Sequence, residues 1–404
     1  MIVDVIGLGL NPSQLSQILR DRIAAADVLV GGKRQLESFP DFSGEQVLIA
    51  SPLESILSTI RDHASAGRKV MVMADGDPLF YGIGKRIVEE LGRNNVRIIP
   101  GVTTLQTAAA RLGIPWHDIT LVSLHGRGDF APVFAALTHT NMVAVFTDEI
   151  NSPAAIAQAM LDRGADRFGM WVFEDLESEL EKVGKYNLSH AVTQRFSPLN
   201  FVVLERTSAP EIPLRLGIPD DDFVREENLI TKGPVRAAGL ATLSMKNDAV
   251  VWDIGAGCGA VSIETAVLAH HGAVYAIERE QRRYDFIREN IRRTGAYLVN
   301  PILGEAPECF AELPDPDRIF IGGGIAGHNG VLESACNRLK PGGRLTTHCI
   351  LLDSLNETRS HLNSMGWPIS ITQIQGSLSK PLAGDMQMKG LNPVFIVATR
   401  KPNA

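Results

Sequence analysis

Short apolar runs alternate with helical patterns along the whole chain, and this alternation predicts α/β units with largely parallel sheets. The predicted strands of the first half are residues 2–6, 46–50, 69–74, 96–99, 119–123, 142–147, 168–173 and 201–205. Those of the second half are residues 249–254, 273–278, 298–303, 317–321, 343–348, 369–375 and 394–399. No short-period repeat or low-complexity segment interrupts the pattern, so both halves are expected to fold as α/β structures.

A polar segment with two prolines separates the halves. It runs from Glu205 to Pro213 and follows the last clear strand of the first half, which is typical of a connector. A length of 404 residues also exceeds one typical domain. We therefore predict a first domain over 1–207, a linker over 208–213 and a second domain over 214–404.

Composition and charge narrow the class of protein. Hydrophobic residues make up 45% and charged residues 21%, as in soluble globular proteins, and the net charge of −7 gives no reason to expect nucleic acid. The four cysteines are widely spaced without a Cys-x-x-Cys pair, so neither a disulfide framework nor a zinc site is expected. The chain opens into a strand rather than a leader, and no apolar run approaches membrane-spanning length. We expect a cytoplasmic protein without metal.

The most informative chemical feature is a glycine-rich turn in the second half. An apolar run over 249–252 predicts a buried strand that leads into Asp253-Ile-Gly255-Ala-Gly257-Cys-Gly259, and a helix is predicted to open over 261–268. Glycines allow a tight turn and a close approach of ligand to backbone. Glu278 ends the next predicted strand, where a carboxylate can accept hydrogen bonds from both hydroxyls of a ribose. The alternative is an ordinary glycine-rich turn, which would not explain the acid at this spacing.

The spacing Asp-x-Gly-x-Gly-x-Gly differs from the Gly-x-Gly-x-x-Gly of nicotinamide enzymes, so a nicotinamide-dependent reductase is disfavoured. It resembles motif I of the S-adenosylmethionine-dependent methyltransferases. That resemblance implies a cofactor site formed by Gly255, Ala256, Gly257, Cys258, Gly259 and Glu278. A binding module that merely presents a substrate stays open as a non-enzymatic alternative.

Three glycine-containing turns end predicted strands of the first half. They are Gly7-Leu-Gly9, Asp75-Gly76-Asp77-Pro78 and Pro100-Gly101-Val-Thr103-Thr104. The first of these turns, taken alone, is better explained by a structural role. Together the three would lie along one edge of a parallel sheet, where α/β proteins bind their ligands.

These turns, with the segments 123–127, 146–153 and 196–200, resemble the tetrapyrrole methylases of the cobalamin and sirohaem pathways, in particular the branch that methylates precorrin-6Y at carbon 5. The resemblance implies a fold of two α/β subdomains that binds S-adenosylmethionine. The implied cofactor contacts are Leu10, Asp75, Gly76, Asp77, Phe80, Thr103, Thr104 and Thr147. The sequence departs from the family in two places, with Leu10-Asn11 where Pro-Gly is usual and Asp75 where Gly is common.

The second half resembles the carbon-15 methyltransferases and decarboxylases of the same pathway, which have a Rossmann-like class I methyltransferase fold. The similarity begins at Pro219-Asp-Asp-Asp-Phe223, Thr231 and Val235-Arg236 and continues through the glycine-rich turn. It implies that Thr231 reaches the cofactor and that the backbone of Ala306 contacts the adenine. In isolation, Thr231 is instead predicted to be the N-cap of a helix.

The order of the two halves is that of the fused C5,15-methyltransferase (decarboxylating) family of cobalamin biosynthesis. The resemblance implies two S-adenosylmethionine sites, one per domain, and conversion of precorrin-6Y into precorrin-8X with loss of the ring C acetate carboxyl as carbon dioxide. The cobalt-containing analogue of the anaerobic route is the alternative substrate. We also expect a homo-oligomer.

The implied substrate carries many carboxylates, so its cleft should present cations. The candidates are Arg127, Arg225, Arg236 and Lys380, each of which, taken alone, is better explained as a solvated surface cation. His125 and Arg127 are the candidate catalytic residues. His125 would act as a proton shuttle, or else it is a hydrogen-bonded structural residue. The loop that contains Gly323 and Gly324 lacks side chains, which would let a large planar ligand lie close to the backbone.

Overall fold

The computed structural model describes residues 2–50, 52–126, 128–227, 229–322 and 330–403. The strands, in chain order β1 to β19, are Val3–Gly7, Val28–Gly31, Glu45–Leu48, Val70–Ala74, Val96–Ile99, Thr120–Ser123, Met142–Phe146, Phe168–Glu174, Lys182–Asn187, Asn200–Arg206, Val250–Ile254, Ala273–Glu278, Val299–Leu303, Arg318–Ile321, Arg344–Cys349, Ile369–Ile374, Ser377–Leu382, Asp385–Gly390 and Val394–Arg400. The helices, in chain order α1 to α13, are Gln17–Ala24, Lys33–Glu37, Leu53–Ser65, Gly84–Leu91, Thr104–Leu112, Ala131–His139, Pro153–Asp162, Leu188–Thr193, Gly233–Leu243, Ala260–Ala266, Gln281–Thr294, Val331–Arg338 and Leu352–Ser364.

Every strand predicted from the sequence is present within two residues of its predicted bounds. Four further strands, β2, β9, β17 and β18, were not predicted. β2 is a four-residue buried strand, Val28–Gly31, and β9 is mostly exposed and polar. Every residue of β17 and β18 is exposed, so these strands lack the alternation of apolar and polar positions that marks a half-buried strand.

The first sheet is parallel and has the strand order β3-β2-β4-β1-β5. Its central strands are buried along their whole length, which explains their continuous apolar sequence. One apolar cluster, which includes Val5, Val72 and Ile87, packs around this sheet, and a second one includes Ile6, Leu29 and Met73. Because β1, β4 and β5 are adjacent and parallel, their carboxyl ends lie at the same edge. A second sheet follows with the order β6-β7-β10-β8-β9.

The third sheet has the order β13-β12-β11-β14-β15-β19-β16, and the strands from β13 to β15 are parallel. β19 lies antiparallel between β15 and β16. Trp252 of β11 is fully buried on one side of this sheet, where its ring lies 4.7 Å from that of Phe310. β17 and β18 form a separate antiparallel hairpin.

By packing, the described chain divides into two units. The first comprises residues 1–119, 172–184 and 196–201, and the second comprises 120–171, 185–195 and 202–404. Within the second unit the Arg163 guanidinium donates to the Tyr297 carbonyl at 2.8 Å, and the Leu298 amide donates to the Thr138 hydroxyl at 2.8 Å. Residues on both sides of the polar connector therefore pack on each other, and the boundary at 208–213 stays a prediction.

Candidate cofactor and substrate sites

The glycine-rich turn after β11 has a backbone that only glycine adopts readily. Gly255, Gly257 and Gly259 have φ angles of +71°, +59° and +79°. The amides of Gly255 and Ala256 both donate to the Ile277 carbonyl of the neighbouring strand at 3.0 Å. A Cβ at Gly257 would meet nothing within 4 Å, so glycine is needed there for its backbone angles rather than for packing against protein. The loop thus leaves open space where a ligand can meet the backbone.

Glu278 holds this loop in place. Its side chain is buried at the end of β12, and its Oε2 accepts a hydrogen bond from the Gly257 amide at 2.9 Å. Its Oε1 accepts from the amides of Arg279 and Glu280, each at 3.0 Å. Each carboxylate oxygen has two lone pairs, so capacity is left for a hydroxyl donor. The acid predicted to bind a ribose therefore also fixes the loop that would bind the rest of the cofactor.

Asp253, the first residue of the motif, is a buried carboxyl group. Its Oδ2 accepts from the Ser262 hydroxyl, whereas Oδ1 has no partner among the described residues. Burial raises the pKa of Asp253 to about 7, and the nearby Glu278 carboxylate contributes in the same direction. The sequence identified Asp253 as part of a motif but did not reveal this perturbed titration.

Asn290 supports the glycine-rich turn, a structural role that was not predicted from the sequence. The Asn290 amide group donates to the carbonyls of Cys258 at 2.9 Å and Val224 at 2.8 Å. It thereby joins α11 to the glycine-rich turn and to the segment that precedes α9. No local pattern indicates this role, because the partners lie 32 and 66 residues away in sequence.

The interpretation of Arg236 as a substrate contact is corrected by its surroundings. Its side chain is fully buried and donates to Glu264 at 2.8 Å, to Asp220 at 3.0 Å and to the carbonyls of Ile218 and Thr231 at 2.6 Å. A guanidinium that is buried and paired in this way has no face for a substrate. It instead ties the segment 218–231 to α10.

Two neighbouring assignments change for similar reasons. Thr231 is not a helix N-cap, because α9 begins at Gly233 and Lys232 occupies the N-cap position. Arg225 donates to the carbonyls of Asp220 and Glu227 and pairs with the Asp221 carboxylate, so its guanidinium serves its own loop. Gly323 and Gly324 lie outside the described residues.

A cavity of about 720 Å³ opens beside the glycine-rich turn. The predicted residues that line it are Thr231, Gly255, Ala256, Gly257, Cys258, Glu278, Ala306 and Lys380. Gly259, Arg225 and Arg236 are not in its wall; Gly259 instead caps α10 in a left-handed conformation. The volume lies in the range of ligand sites, and a backbone-lined loop beside a buried acid fits an adenosine-containing cofactor.

His348 also lines this cavity and was not predicted. It lies on β15 with its ring 4.6 Å from that of Phe320, and a Cβ at Gly239 would approach its Nε2 to 2.4 Å. Neither ring nitrogen has a partner among the described residues, and burial lowers the pKa of His348 to about 4. The imidazole is therefore neutral near pH 7.

In the first unit, the three predicted glycine turns meet at one edge of the first sheet, as expected. The Gly76 amide donates to the Gly9 carbonyl at 2.9 Å. A Cβ at Gly101 would lie 2.3 Å from the Gly76 carbonyl oxygen, and a Cβ at Gly7 would meet the same oxygen at 2.3 Å. The close approach of three backbones therefore requires glycine at Gly7 and Gly101.

The predicted side chains around these turns have local partners. Asp75 is exposed and pairs with Arg34 at 2.7 Å, and the Asp77 carboxylate accepts from the Leu79 amide at 2.8 Å. The Thr103 hydroxyl accepts from the Gln106 amide at 3.1 Å and so caps α5. Leu10, Phe80 and Thr104 are partly buried in the same unit. The Thr103 amide also donates to the Gln106 side chain at 2.9 Å, so both its backbone amide and its hydroxyl serve the cap of α5.

The remaining predicted residues of the first half belong to the second unit. Thr147 follows β7 and is partly buried, and His125 follows β6 and is exposed. The Gly126 amide donates to the Asp148 carboxylate at 2.9 Å, and hydrogen bonds from the amides of Asn151 and Gly126 lower the pKa of Asp148. Arg127 lies outside the described residues.

A glycine-rich turn with an acid after the next parallel strand, beside a cavity at the carboxyl end of the sheet, defines an α/β enzyme that binds a nucleoside cofactor. Residues 3–191 match the model of the tetrapyrrole (corrin/porphyrin) methylases, and residues 222–401 match the precorrin methyltransferase domain. A precorrin-6Y C(5,15)-methyltransferase [decarboxylating] of Sinorhizobium sp is 32% identical over 398 residues, which cover 96% of this chain and 94% of that protein. The chain belongs to the family of precorrin-6Y C(5,15)-methyltransferases (decarboxylating), and the predicted fold class is confirmed.

Shorter relatives and solved structures also match part of this chain. A cobalt-precorrin-7 C(5)-methyltransferase of Salmonella typhimurium is 37% identical over 188 residues, covering 45% of this chain and 89% of that protein. A crystal structure described as precorrin-6y C5,15-methyltransferase from Geobacter metallireducens is 35% identical with a TM-score of 0.44, covering 46% of this chain and 98% of that one. Among the described residues, no helix has the length and apolar character needed to cross a membrane.

Proposed function

We propose that this chain is a bifunctional S-adenosylmethionine-dependent C-methyltransferase of corrin ring synthesis. Its first half methylates carbon 5 of precorrin-6Y, and its second half methylates carbon 15 and removes the ring C acetate carboxyl as carbon dioxide, which gives precorrin-8X. The observation that carries the proposal is the similarity to the Sinorhizobium relative over 96% of this chain, because it includes both halves in the same order.

The second half contributes alignment rather than a strong nucleophile or base. When bound, S-adenosylmethionine supplies an electrophilic methyl group on a sulfonium with a neutral leaving group. The chain must therefore hold this group in line with a nucleophilic carbon, which is catalysis by proximity and orientation. In our proposal Glu278 receives the ribose hydroxyls, the loop from Gly255 to Gly259 meets the methionine part through its backbone, and the Ala306 backbone contacts the adenine.

Decarboxylation requires that the ring C acetate loses carbon dioxide and that the remaining carbon gains a proton. The electrons released pass into the conjugated tetrapyrrole after methylation at carbon 15. Apolar residues of the cavity wall, including Val331, Ile350 and Leu391, surround the space available to a substrate. In our proposal these apolar side chains limit the contact of the reacting carboxylate with water, which favours its conversion to neutral carbon dioxide.

The first half has a second cofactor site at the edge where Gly9, Gly76 and Gly101 meet. Two observations support this assignment: the turns end adjacent parallel strands, and the backbones approach so closely that no side chain fits at Gly101. Such an edge is the usual ligand site of a parallel α/β sheet. We further propose a homo-oligomer in the cytoplasm; the four cysteines are free, which agrees with a reducing compartment.

The alternative substrate is the cobalt-containing precorrin of the anaerobic route. The 37% identity over 188 residues to a cobalt-precorrin-7 C(5)-methyltransferase favours this alternative for carbon 5. The fused relative, which spans both halves, favours the metal-free substrate. Parallel assays with the two forms separate them, since the preferred form will have the higher kcat/KM.

Mass spectrometry of the product tests the proposed function. The purified chain is incubated with precorrin-6Y and S-adenosylmethionine that carries a labelled methyl group. We expect a product with two labelled methyl groups and one carbon dioxide fewer. A product with neither change, or tight NADPH binding without S-adenosylmethionine binding, would overturn the proposal.

A further inference from the structure

Two lysines on the β17–β18 hairpin line the 720 Å³ cavity without a partner for their charge. Lys380 lies on β17 and Lys389 on β18, and both are exposed. Their backbones pair within the hairpin, but neither ammonium group makes an ion pair or side-chain hydrogen bond in the part of the chain that the structure describes. The cavity wall thus presents two free ammonium groups in a chain whose net charge is −7.

The hairpin register places both lysines on one face. Lys380 is opposite Gln387, and Lys389 is opposite Leu378. Residues directly opposite each other in an antiparallel pair project to the same side, and so do residues two apart along a strand. Lys380 and Lys389 are therefore diagonal neighbours, roughly 7–8 Å apart across the ladder with their Cβ atoms somewhat closer.

The two faces of the hairpin differ in chemistry. The face that lines the cavity carries the two lysines with Leu378 beside them. The other face carries Met386 and Met388, which are 58% and 67% exposed and are not part of the cavity wall. The positive charge of the two lysines thus lies on the face of the hairpin that lines the cavity.

The other cations of the cavity wall each have a carboxylate partner: Lys232 with Asp220 at 3.8 Å, Arg279 with Glu305 at 3.7 Å, and Arg283 with Glu226 at 3.1 Å. These pairs neutralise charge within the protein. Lys380 and Lys389 differ from them, because their charge is left for a ligand. An apolar side chain next to both ammonium groups suits a flat ring system that carries carboxylates at its rim.

We propose that Lys380 and Lys389 form a carboxylate-binding subsite that holds two acidic side chains of the tetrapyrrole during the carbon-15 reaction. This inference rests on the proposed function and names the residues that recognise its substrate class. Lys389 is a new assignment. Lys380 was already a candidate from the sequence. With Lys389 as its neighbour, the subsite can bind two carboxylates.

Glutamine substitutions test the subsite, because they remove the charge and keep a similar side-chain length. In Lys380→Gln and Lys389→Gln, the KM for the tetrapyrrole in carbon dioxide release should rise roughly two- to fivefold each, since exposed charge pairs are weakened by water. The double variant should show the larger effect. Calorimetric affinity for S-adenosylhomocysteine should stay unchanged, which shows that the cofactor loop is intact.

Met386→Gln and Met388→Gln are the matched controls, because they change the outer face of the same hairpin. They should leave the KM for the tetrapyrrole unchanged. The inference is overturned if both lysine variants keep the wild-type KM, or if the methionine variants raise it equally, since the hairpin would then act through its folding.

A binding assay separates this inference from the proposed function. The probe is uroporphyrin, a porphyrin with eight carboxylates, titrated by fluorescence at two ionic strengths. Binding that weakens with salt in the wild type and is reduced in the double lysine variant supports the subsite even if precorrin-6Y is not turned over. Equal binding by the wild type and the double variant contradicts the subsite, whatever the turnover result.

Discussion

Replacement of Glu278 by alanine tests the cofactor site of the second half. The Glu278 carboxylate is buried and accepts backbone hydrogen bonds from Gly257 at 2.9 Å and from Arg279 and Glu280 at 3.0 Å. In Glu278→Ala these donors lose their acceptor, and the loop loses the contact that fixes Gly257. The proposed ribose hydroxyls would lose their acceptor as well.

The magnitude follows from the cost of leaving buried polar groups unpaired, which is about 1–3 kcal/mol. A loss of this size in the bound state lowers cofactor affinity roughly 5- to 150-fold at 25 °C. Because three backbone donors depend on the same carboxylate, we also expect a lower melting temperature. Both effects share one cause and should appear together.

Calorimetric titration with S-adenosylhomocysteine provides the assay. The wild type should bind two equivalents, and Glu278→Ala should weaken one of them while the other keeps its affinity. Glu278→Asp, which retains a carboxylate, should fall between the two. Glu280→Ala is the control, because the Glu280 side chain is 56% exposed and accepts no hydrogen bond from the glycine-rich turn. Unchanged affinity at both sites in Glu278→Ala would refute the reasoning.

Three further outcomes are expected. Gly101→Ala should abolish carbon-5 methylation but not carbon dioxide release, because its Cβ would lie 2.3 Å from a backbone oxygen. Gly128→Ala is the control: a Cβ there meets nothing within 4 Å, so product analysis should show no change. The folded pKa of Asp253, about 7, exceeds its ordinary 3.8, so ionisation should remove on the order of 4 kcal/mol of stability as pH rises from about 4 to above 7. Urea unfolding should show that Asp253→Asn escapes this loss; a difference from wild type that is the same at pH 5 and pH 8 would contradict it. The fragment 214–404 should have a lower melting temperature than the full chain, because it lacks the Arg163 side chain that donates to the Tyr297 carbonyl. Mixing it with fragment 1–207 should restore its stability. Equal melting temperatures of the fragment and the full chain would show that this hydrogen bond is dispensable.

The sequence predicted those parts of the fold whose signals are local. β1, β4 and β11 are buried strands whose apolar runs identify them, although the equally buried β2 was not predicted. The glycine-rich turn could also be predicted from the sequence, because its positive φ angles depend on glycine at fixed spacing. The β17–β18 hairpin was missed because no face of it is buried and no alternation results.

The parts of the site that were misjudged depend on contacts between distant residues. Arg236 was a candidate for substrate binding because a sequence does not show that Glu264 and Asp220 surround its guanidinium. The support that Asn290 gives to Cys258 bridges 32 residues and follows from no motif. Burial also depends on contacts between distant residues. The raised pKa of Asp253 follows from its packing, which the residue type alone does not reveal.

The central claim is that each half of the chain carries its own methyl-transfer site. Its most direct test is ¹³C NMR of the product formed from precorrin-6Y and S-adenosylmethionine labelled in the methyl group. We predict two labelled carbons in the wild-type product, at carbons 5 and 15, and only the one at carbon 15 in the product of Gly101→Ala. A single labelled position in the wild type, or loss of both signals in a folded Gly101→Ala variant that still binds one S-adenosylhomocysteine, would contradict the division of labour between the halves.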